Sequence, residues 1–321
     1  YGRQDNRMQE TLDITRSQKP QSLNQEFKLY FTIADDHIFS LEAQHLDQEE
    51  NPLSRAIRDR NPFTRLIPFS SSVNKYDVTQ ERLVHTAKIE AKLDYYYLLN
   101  DTSNINLSLG VTDVGQDFDS SFFQILDNGS LLNFNDLTFN NDVNFDFSDA
   151  YIALNYRVRT GIFTIDPGFT LHYYRTRNTQ SGTSFERNIS DIRPNLRINL
   201  QFKRSESLRL TYRKNTQFTD INNLAEGFVF NNYNSIFKGN RELEAAVVNN
   251  YNLNYRSINQ FTFTNIFANA NYSKRSNSIQ SRANINGIDA IRTSTNSNFP
   301  RETYSLSGRI DKRFKNFKLN F

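Results

Sequence analysis

Apolar and polar residues alternate with a period of two along much of this chain, and this alternation constrains the fold more than any other feature. Residues 87–95 read AKIEAKLDY, residues 163–171 read FTIDPGFTL, and residues 195–202 read NLRINLQF. Successive side chains of a β-strand point to opposite faces, whereas a helix repeats about every 3.6 residues. The chain is therefore predicted to be almost entirely β-strand, with an apolar and a polar face on each strand.

The composition indicates that these strands belong to a folded protein. The 321 residues include 27 Phe and 16 Tyr, although 23% of them are charged and the mean hydropathy is -0.67. Disordered chains are poor in aromatic residues, so these rings must cover an apolar surface. No window approaches the roughly 18 consecutive apolar residues that a membrane-spanning helix requires. The net charge of +3, without a basic block, gives no basis for expecting a nucleic-acid partner.

The connections between the predicted strands alternate between short and long. Tight turns are predicted near Asp35-Asp36, Asn100-Asp101, Thr160-Gly161, Ser205-Glu206, Ile258-Asn259 and Lys315-Asn316. Long polar loops are predicted at 49–80, 114–145, 176–190, 218–246 and 276–300. Outer-membrane barrels combine short periplasmic turns with long extracellular loops, and their strands need about 9–11 residues to cross the hydrocarbon layer.

The fold class that follows is all-β, an antiparallel transmembrane β-barrel, of which about twelve strands lie in this chain. A soluble β-sandwich or a small lipocalin-like barrel is the alternative, because soluble sheets also alternate. Strand length and the strongly charged polar face favour the membrane barrel. In that fold Leu109 faces lipid, whereas Ser108 faces inward and is predicted to tolerate replacement by Arg.

The polar face carries cationic side chains that a barrel turns into its lumen. These lumen-facing candidates are Lys88, Lys92, Arg197, Arg209, Arg213 and Arg256. Two interpretations remain open for them. They could contact a plug or a permeating ligand, or they could pair with neighbouring carboxylates and bind water.

The long loops carry the candidate ligand-binding residues, because loops carry function more often than strands do. Cationic and aromatic candidates are Arg58, Arg60, Phe63, Arg65, Phe228, Phe230 and Tyr233. Loop aspartates within 113–119 and 136–149 could hold calcium, although solvated acidic loops are the simpler interpretation. The four histidines lack the spacing of a metal site, and no catalytic motif is present. We therefore expect neither an enzyme nor a cofactor or metal.

Three segments resemble a known family. Residues 191–200 read DIRPNLRINL, and residues 208–213 read LRLTYR before a loop that begins near Phe218. Residues 239–245 read GNRELEA, and a strand ending at Tyr255 follows. These segments resemble the barrels of TonB-dependent receptors, and the Asn-rich, Tyr-rich style without Trp is similar to the outer-membrane β-barrel family of Bacteroidota. The sequence departs from the family pattern where Arg241 stands in place of Pro and Ala245-Ala246 in place of Pro-Glu.

The resemblance implies a receptor in the bacterial outer membrane that binds a ligand through extracellular loops and admits it to the periplasm. It implies that residues 1–321 are one internal segment of a larger barrel, of about 22 strands in such transporters. The signal peptide, the plug domain and the energy-coupling partner are then expected outside this chain, and outer-membrane lipid surrounds it. A structural or secretion-associated barrel and a passive porin are the alternatives.

Overall fold

The computed structural model describes residues 11–61, 63, 66–232, 234–286, 289–314 and 317–320, and nearly all of its regular structure is β-strand. The elements are β1 (Leu12–Ser17), β2 (Gln21–Ala34), β3 (His37–Glu50), β4 (Leu53–Arg58), β5 (Tyr76–Asn100), β6 (Ser103–Ile125), β7 (Leu131–Asn133), β8 (Asn141–Thr160), β9 (Phe163–Gln180), β10 (Thr183–Lys203), β11 (Glu206–Gln217), α1 (Ile221–Leu224), β12 (Phe228–Asn232), β13 (Ser235–Lys238), β14 (Ala246–Asn259), β15 (Thr264–Ser276), β16 (Ile279–Asn286), β17 (Asp289–Asn296), β18 (Arg301–Phe314) and β19 (Phe317–Asn320). No helix in the described part of the chain is long and apolar enough to cross a membrane.

Fifteen strands form one main sheet, in which every pairing is antiparallel. The path across it runs through twelve strands in the order β1-β4-β5-β6-β8-β9-β10-β11-β14-β15-β18-β19. The β2–β3 hairpin lies in line with β1 and β4, because β3 and β4 pair with successive segments of β5. Within the described residues β2 pairs only with β3 and β19 only with β18, so the sheet has two open edges. The predicted fold class and strand number are confirmed.

Two prolines divide the strands at the first edge of the main sheet. Pro20 separates β1 from β2, and Pro52 separates β3 from β4. Proline has no N–H to donate to a ladder, so both strands break at the same level. Side-chain and backbone bonds bridge the break: the N–H of Lys19 donates to Asn51 Oδ1 at 2.9 Å, and the N–H of Arg82 donates to the carbonyl of Pro52 at 3.1 Å.

The central strands are much longer than a membrane crossing requires. β5 has 25 residues, β6 has 23 and β10 has 21, against about 9–11 for the hydrocarbon layer. The predicted loop at 176–190 is therefore wrong, because β9 and β10 continue to a tight turn at Ser181-Gly182 with φ angles of 52° and 70°. Much of the predicted loop at 114–145 is also strand. The turn predicted at Lys315-Asn316 lies outside the described residues.

The strands change character halfway along their length. We define the outer face of the main sheet as the face with Leu109 and Ile152, and the inner face as the one with Lys92 and Tyr151. In the half of each strand next to the tight turns, the turn-side half, apolar residues lie on the outer face. In the other half, the loop-side half, the pattern is reversed: on β8 Asp142 points outward, while Val143 on the inner face is only 2% exposed. This reversal explains the wrong loop prediction, because the aspartates of the loop-side half resemble loop residues in a sequence.

Register keeps the two faces separate across neighbouring strands. One outer row consists of Leu93, Leu109, Ile152 and Leu171, and the adjacent inner row consists of Lys92, Gly110, Tyr151 and His172. A one-residue slip would exchange the faces, so the continuous rows fix the register of four strands.

A ladder of tyrosines across β11, β14, β15 and β18 lies at the border between the outer apolar surface and the loop-side half. Tyr212, Tyr251, Tyr272 and Tyr304 lie opposite one another on successive strands, and their ring centroids are 4.7, 5.7 and 4.8 Å apart. The hydroxyl of Tyr212 donates to Asn249 at 3.0 Å, and that of Tyr304 donates to Glu302 at 2.9 Å. Such rings, apolar in body and polar at the tip, are typical of a membrane–water interface.

The buried core lies on the inner face of the loop-side half. Two connections, β11 to β14 and β15 to β18, supply α1 and a second sheet in the order β12-β13-β17-β16. Buried aromatic and aliphatic residues from these connections pack against the inner face of β5, β6 and β8 in two clusters. We call the segment from Phe218 to Ala245 the loop cover.

Candidate functional site

The inner face of the turn-side half is a polar wall. The six lumen-facing candidates all lie on it: Lys88, Lys92, Arg197, Arg209, Arg213 and Arg256. Two clefts along this wall have volumes of about 470 and 750 Å³. That the wall contacts a plug or a ligand stays a prediction.

The lysines of the wall are paired with carboxylates of their own strand. Lys92 Nζ lies 2.7 Å from Asp94, which is only 2% exposed and also accepts a hydrogen bond from Ser108. Lys88 Nζ lies 2.5 Å from Glu90. Buried carboxylates require such partners, because an unpaired charge is costly to desolvate. These lysines therefore carry little net charge into the wall.

A second compensated group surrounds His172, at the level where the inner face changes from polar to apolar. His172 Nδ1 lies 2.9 Å from Asp149, and its Nε2 lies 3.4 Å from the guanidinium of Arg193. Because Arg193 can only donate, Nε2 is the acceptor and Nδ1 carries the proton given to Asp149. Arg193 also bonds Asp191 at 3.2 Å, and Lys214 bonds the same carboxylate at 2.6 Å. No sequence pattern predicts this group, because its members are far apart in the chain.

The arginines of the wall behave differently from the lysines. Arg157 forms a two-fold bond to Asp166, with distances of 2.7 and 3.2 Å. In the described part of the chain, no carboxylate lies within 4.0 Å of five other inner-face guanidinium groups. These are Arg159, Arg197, Arg209, Arg213 and Arg256. The wall between β8 and β14 is therefore strongly cationic.

Two glycines make room for large side chains on the wall. A Cβ at Gly110 would lie 2.2 Å from the ring of Tyr151, which crosses over it. A Cβ at Gly168 would lie 2.0 Å from Asn155, whose side chain reaches across to Asn195 at 3.2 Å. At both positions only the absence of a side chain permits the contact.

Buried amides attach the loop cover to the strands. The Gln80 amide, fully buried, donates to the carbonyl of Phe228 and accepts from the N–H of Phe230, each at 2.7 Å. Gln180 makes the equivalent pair of bonds with Leu224 and Glu226, both at 3.0 Å. Sequence reasoning missed these glutamines. A neutral amide on the inner face of the loop-side half, which is otherwise apolar, was the signal that could have indicated a buried hydrogen-bonding role.

Arg241 is a further anchor of the loop cover. Its guanidinium bonds Glu226 at 3.0 Å, the hydroxyl of Thr183 at 2.7 Å and the carbonyl of Gln180 at 3.1 Å. A proline, which the family pattern has here, could make none of these bonds. The departure from the pattern therefore replaces a rigid turn with a charged clamp onto β9 and β10.

The loop candidates for ligand binding fall into two groups in the structure. Phe63, Phe228 and Phe230 come together in one core and are 4–5% exposed, and Arg58 is 1% exposed. Arg60 is exposed. Arg65 and Tyr233 lie outside the described residues. The aromatic candidates thus build the support of the loop cover, and ligand binding by this set stays a prediction. Among the described residues no group of three or more His, Cys, Asp or Glu could hold a metal ion.

Comparison with known proteins extends these observations. A family model described as the outer membrane protein beta-barrel family matches residues 32–320. Among curated proteins, no relative matches this chain.

Several solved structures share its architecture. The ferric-catecholate import receptor Fiu from E. coli K12 is 11% identical with a TM-score of 0.57, over 94% of this chain and 46% of that one. The siderophore receptor PiuA from Acinetobacter baumannii is 11% identical with a TM-score of 0.57, over 93% and 45%. The hemophore receptor HasR from Serratia marcescens, solved with its hemophore HasA and heme, is 12% identical with a TM-score of 0.51, over 97% and 53%.

These likenesses concern the fold, because identities of 11–12% are too low to carry a ligand or a residue role. The chain spans about half the length of these structures. The outer-membrane β-barrel fold and the resemblance to receptor barrels are confirmed.

Proposed function

The chain belongs to the outer membrane protein beta-barrel family and lies in the bacterial outer membrane, and on this premise we propose that it forms the wall of a ligand-uptake receptor. The receptor binds its ligand on the extracellular side and admits it to the periplasm. In this role the chain binds and conducts a ligand and carries out no chemical step. The Bacteroidota origin suggested by the sequence style stays a prediction.

The observation that carries the proposal is the loop cover. Tight turns face the periplasm in outer-membrane barrels, so the loop-side half projects outside the cell. There the cover is attached by Gln80, Gln180 and Arg241 to the inner face of the strands. A passive porin requires an open, water-filled lumen. A receptor requires a closed lumen with a folded surface on its extracellular side. A purely structural barrel gives no reason for a cationic wall below such a cover.

We propose that the complete protein also contains a plug and engages an energy-coupling protein. The inner wall supports this view, because it presents charged and amide side chains that suit a polar partner or a hydrated ligand. The solved structures named above are receptors for ferric-catecholate, for a siderophore and for a hemophore with heme. Iron chelates are therefore the first ligands to test.

Conductance and uptake distinguish the candidate functions. The complete protein, reconstituted in a planar lipid bilayer, is expected to show no steady conductance, whereas a passive porin conducts continuously. Cells that make the protein are expected to accumulate radiolabelled ferric citrate or ferric catecholate, and a protonophore should abolish the uptake. A closed barrel that supports uptake of none of these chelates would favour the structural or secretion-associated alternative. Steady conductance of the unmodified protein would refute the receptor.

A further inference from the structure

Three arginines that form no ion pair with any described residue lie in a triangle on the inner wall. Arg197 of β10 lies opposite Thr211 of β11, and both Arg209 and Arg213 are two residues from Thr211. Arg197 is therefore a diagonal cross-strand neighbour of each, at a Cα separation of about 7–8 Å. All three point to the same face, because residues two apart on a strand share a face.

Among the described residues, no carboxylate lies within 4.0 Å of the three guanidinium groups, and their neighbours supply further positive charge and hydrogen-bond donors. Asp166 lies directly opposite Arg197, yet it is already held by both nitrogens of Arg157. Asp35, Asp36 and Asp101 line the rim of the same cleft without forming an ion pair with the arginines in the described structure. Elsewhere on the wall Lys88 and Lys92 each pair with one carboxylate, and Arg193 and Lys214 share Asp191.

We propose that Arg197, Arg209 and Arg213 form a binding site for a small multivalent anion with carboxylate or phosphate oxygens. The guanidinium fork matches these groups in geometry and keeps its charge at every physiological pH. One anion with several negative charges would relieve the repulsion among three neighbouring cations. Asn199 and Thr211 line the same clefts and can donate further hydrogen bonds.

The position of the site gives it a role in uptake, and this role rests on the proposed function. The triangle lies in the turn-side half, on the periplasmic side of the charge-compensated group around His172. A ligand that has passed the loop cover would meet these arginines before it reaches the periplasm. The site therefore selects for anionic ligands at the inner end of the path.

Anion binding by the complete purified protein tests the proposal. Citrate and pyrophosphate are titrated calorimetrically at low ionic strength into the wild type, R197Q/R209Q, and the matched control R175Q/R177Q. Arg175 and Arg177 lie on the outer face, where both contact Glu186, so the control loses the same formal charge. We expect the inner-face variant to bind at least one of the anions about tenfold more weakly or worse. The control should retain wild-type affinity.

A second variant separates geometry from charge. R197K/R209K keeps both charges but loses the planar fork, so its affinity should fall between that of the wild type and that of R197Q/R209Q. Electrophoresis of unheated and heated samples shows whether each variant has folded. The proposal is overturned if the wild type binds neither anion, or if the inner-face and control variants bind equally. If the wild type binds neither anion but R197Q/R209Q lowers its melting temperature more than the control does, the arginines hold carboxylates of another segment.

The outcome is independent of the conductance experiment. If the complete protein shows no steady conductance and binds neither citrate nor pyrophosphate, the receptor proposal stands and the anion site is rejected. If the complete protein conducts steadily and R197Q/R209Q abolishes its anion binding, the anion site stands and the receptor proposal is rejected.

Discussion

Gly110 shows how closely the inner wall is packed at the level of a single residue. The ring of Tyr151 occupies the space beside its Cα, so G110A forces the ring and its neighbours to move. We expect this variant to lose about 1–3 kcal/mol of unfolding free energy, the usual cost of overpacking. Urea unfolding of the complete protein in lipid vesicles measures the loss.

The matched control lies on the same strand. A Cβ at Gly115 would have its nearest neighbour, Asp146, at 4.0 Å, which is an ordinary contact. G115A should therefore be neutral, and combining G110A with Tyr151→Ala should recover part of the loss. Equal stabilities of G110A and G115A would show that Tyr151 does not pack across Gly110.

Asp119 makes the stability of the loop-side half depend on pH. It lies directly opposite Asp142 on the outer face. Partial desolvation, followed by the charges of Asp142 and Asp117, raises the pKa of Asp119. The folded state therefore favours the neutral carboxyl. This stabilising contribution is complete below the unfolded pKa of about 3.9 and is lost as the pH rises through the folded pKa.

Replacing Asp119 by Asn removes this dependence. At pH 7 Asp119→Asn should raise the melting temperature of the complete protein, because the charged carboxylate no longer faces Asp142. The gain should shrink as the pH approaches about 4, where the wild-type carboxyl takes up its proton. Melting curves recorded between these two pH values test the sign. A gain that grows with acidity would contradict it.

The loop cover is an element that single side chains hold in place. Gln80→Leu keeps the size of the side chain but leaves the carbonyl of Phe228 and the N–H of Phe230 buried without partners. Each lost partner costs about 1–3 kcal/mol, so the cover should detach while β5 and β6 remain paired. Hydrogen exchange in residues 226–238 should then accelerate selectively.

Gln116→Leu is the control for this effect. Gln116 lies on the inner face of β6, and its side chain donates to the hydroxyl of Thr86 at 3.1 Å rather than to the cover. Its removal should leave exchange in the cover unchanged. Uniform acceleration across all strands in Gln80→Leu would mean that the cover and the barrel unfold as one unit.

The two faces of a strand differ most in their tolerance of charge. Leu109 on the outer face is 45% exposed in the protein alone, so Leu109→Arg should cost about 2–4 kcal/mol near mid-membrane. Thr112 lies on the inner face between Glu90 and Asp149, and Arg should be accepted there. Folding yields in lipid vesicles compare the two variants, and equal yields would invalidate the facing assignment.

Ser108 illustrates where sequence reasoning stops at this scale. Alternation correctly places it on the inner face, but its tolerance of Arg, which stays a prediction, does not agree with its surroundings. Ser108 is 5% exposed and bonds the buried Asp94, so there is no room for a long side chain. Periodicity gives the direction of a side chain, whereas burial depends on neighbours that are distant in sequence. The partners of Gln80 and His172 were not predicted either, because they too are distant in sequence.

For the whole molecule, the sequence was sufficient for the class, the strand number and the facing of the turn-side half. Short-range alternation and turn residues contain that information. The loop-side half was harder, because its polarity is reversed: apolar residues such as Phe118 and Phe145 face inward to meet the loop cover. That reversal depends on a contact with residues about a hundred positions away, which local patterns do not report.

The open sheet leads to a prediction about residues 11–320 expressed alone. All fourteen residues of β2 are exposed, and β2 and β19 leave their outer edges unpaired. In hydrocarbon each unpaired backbone group costs several kcal/mol, on the order of 2–7, so an open sheet cannot remain there. The isolated segment should therefore aggregate or associate with further chains instead of forming a closed pore. Gel electrophoresis after mixing with lipid vesicles should show no compact, unheated form, and planar bilayers should show no steady conductance. A stable monomeric channel made by this segment would mean that β2 and β19 close against each other, and that a small complete barrel replaces the larger one.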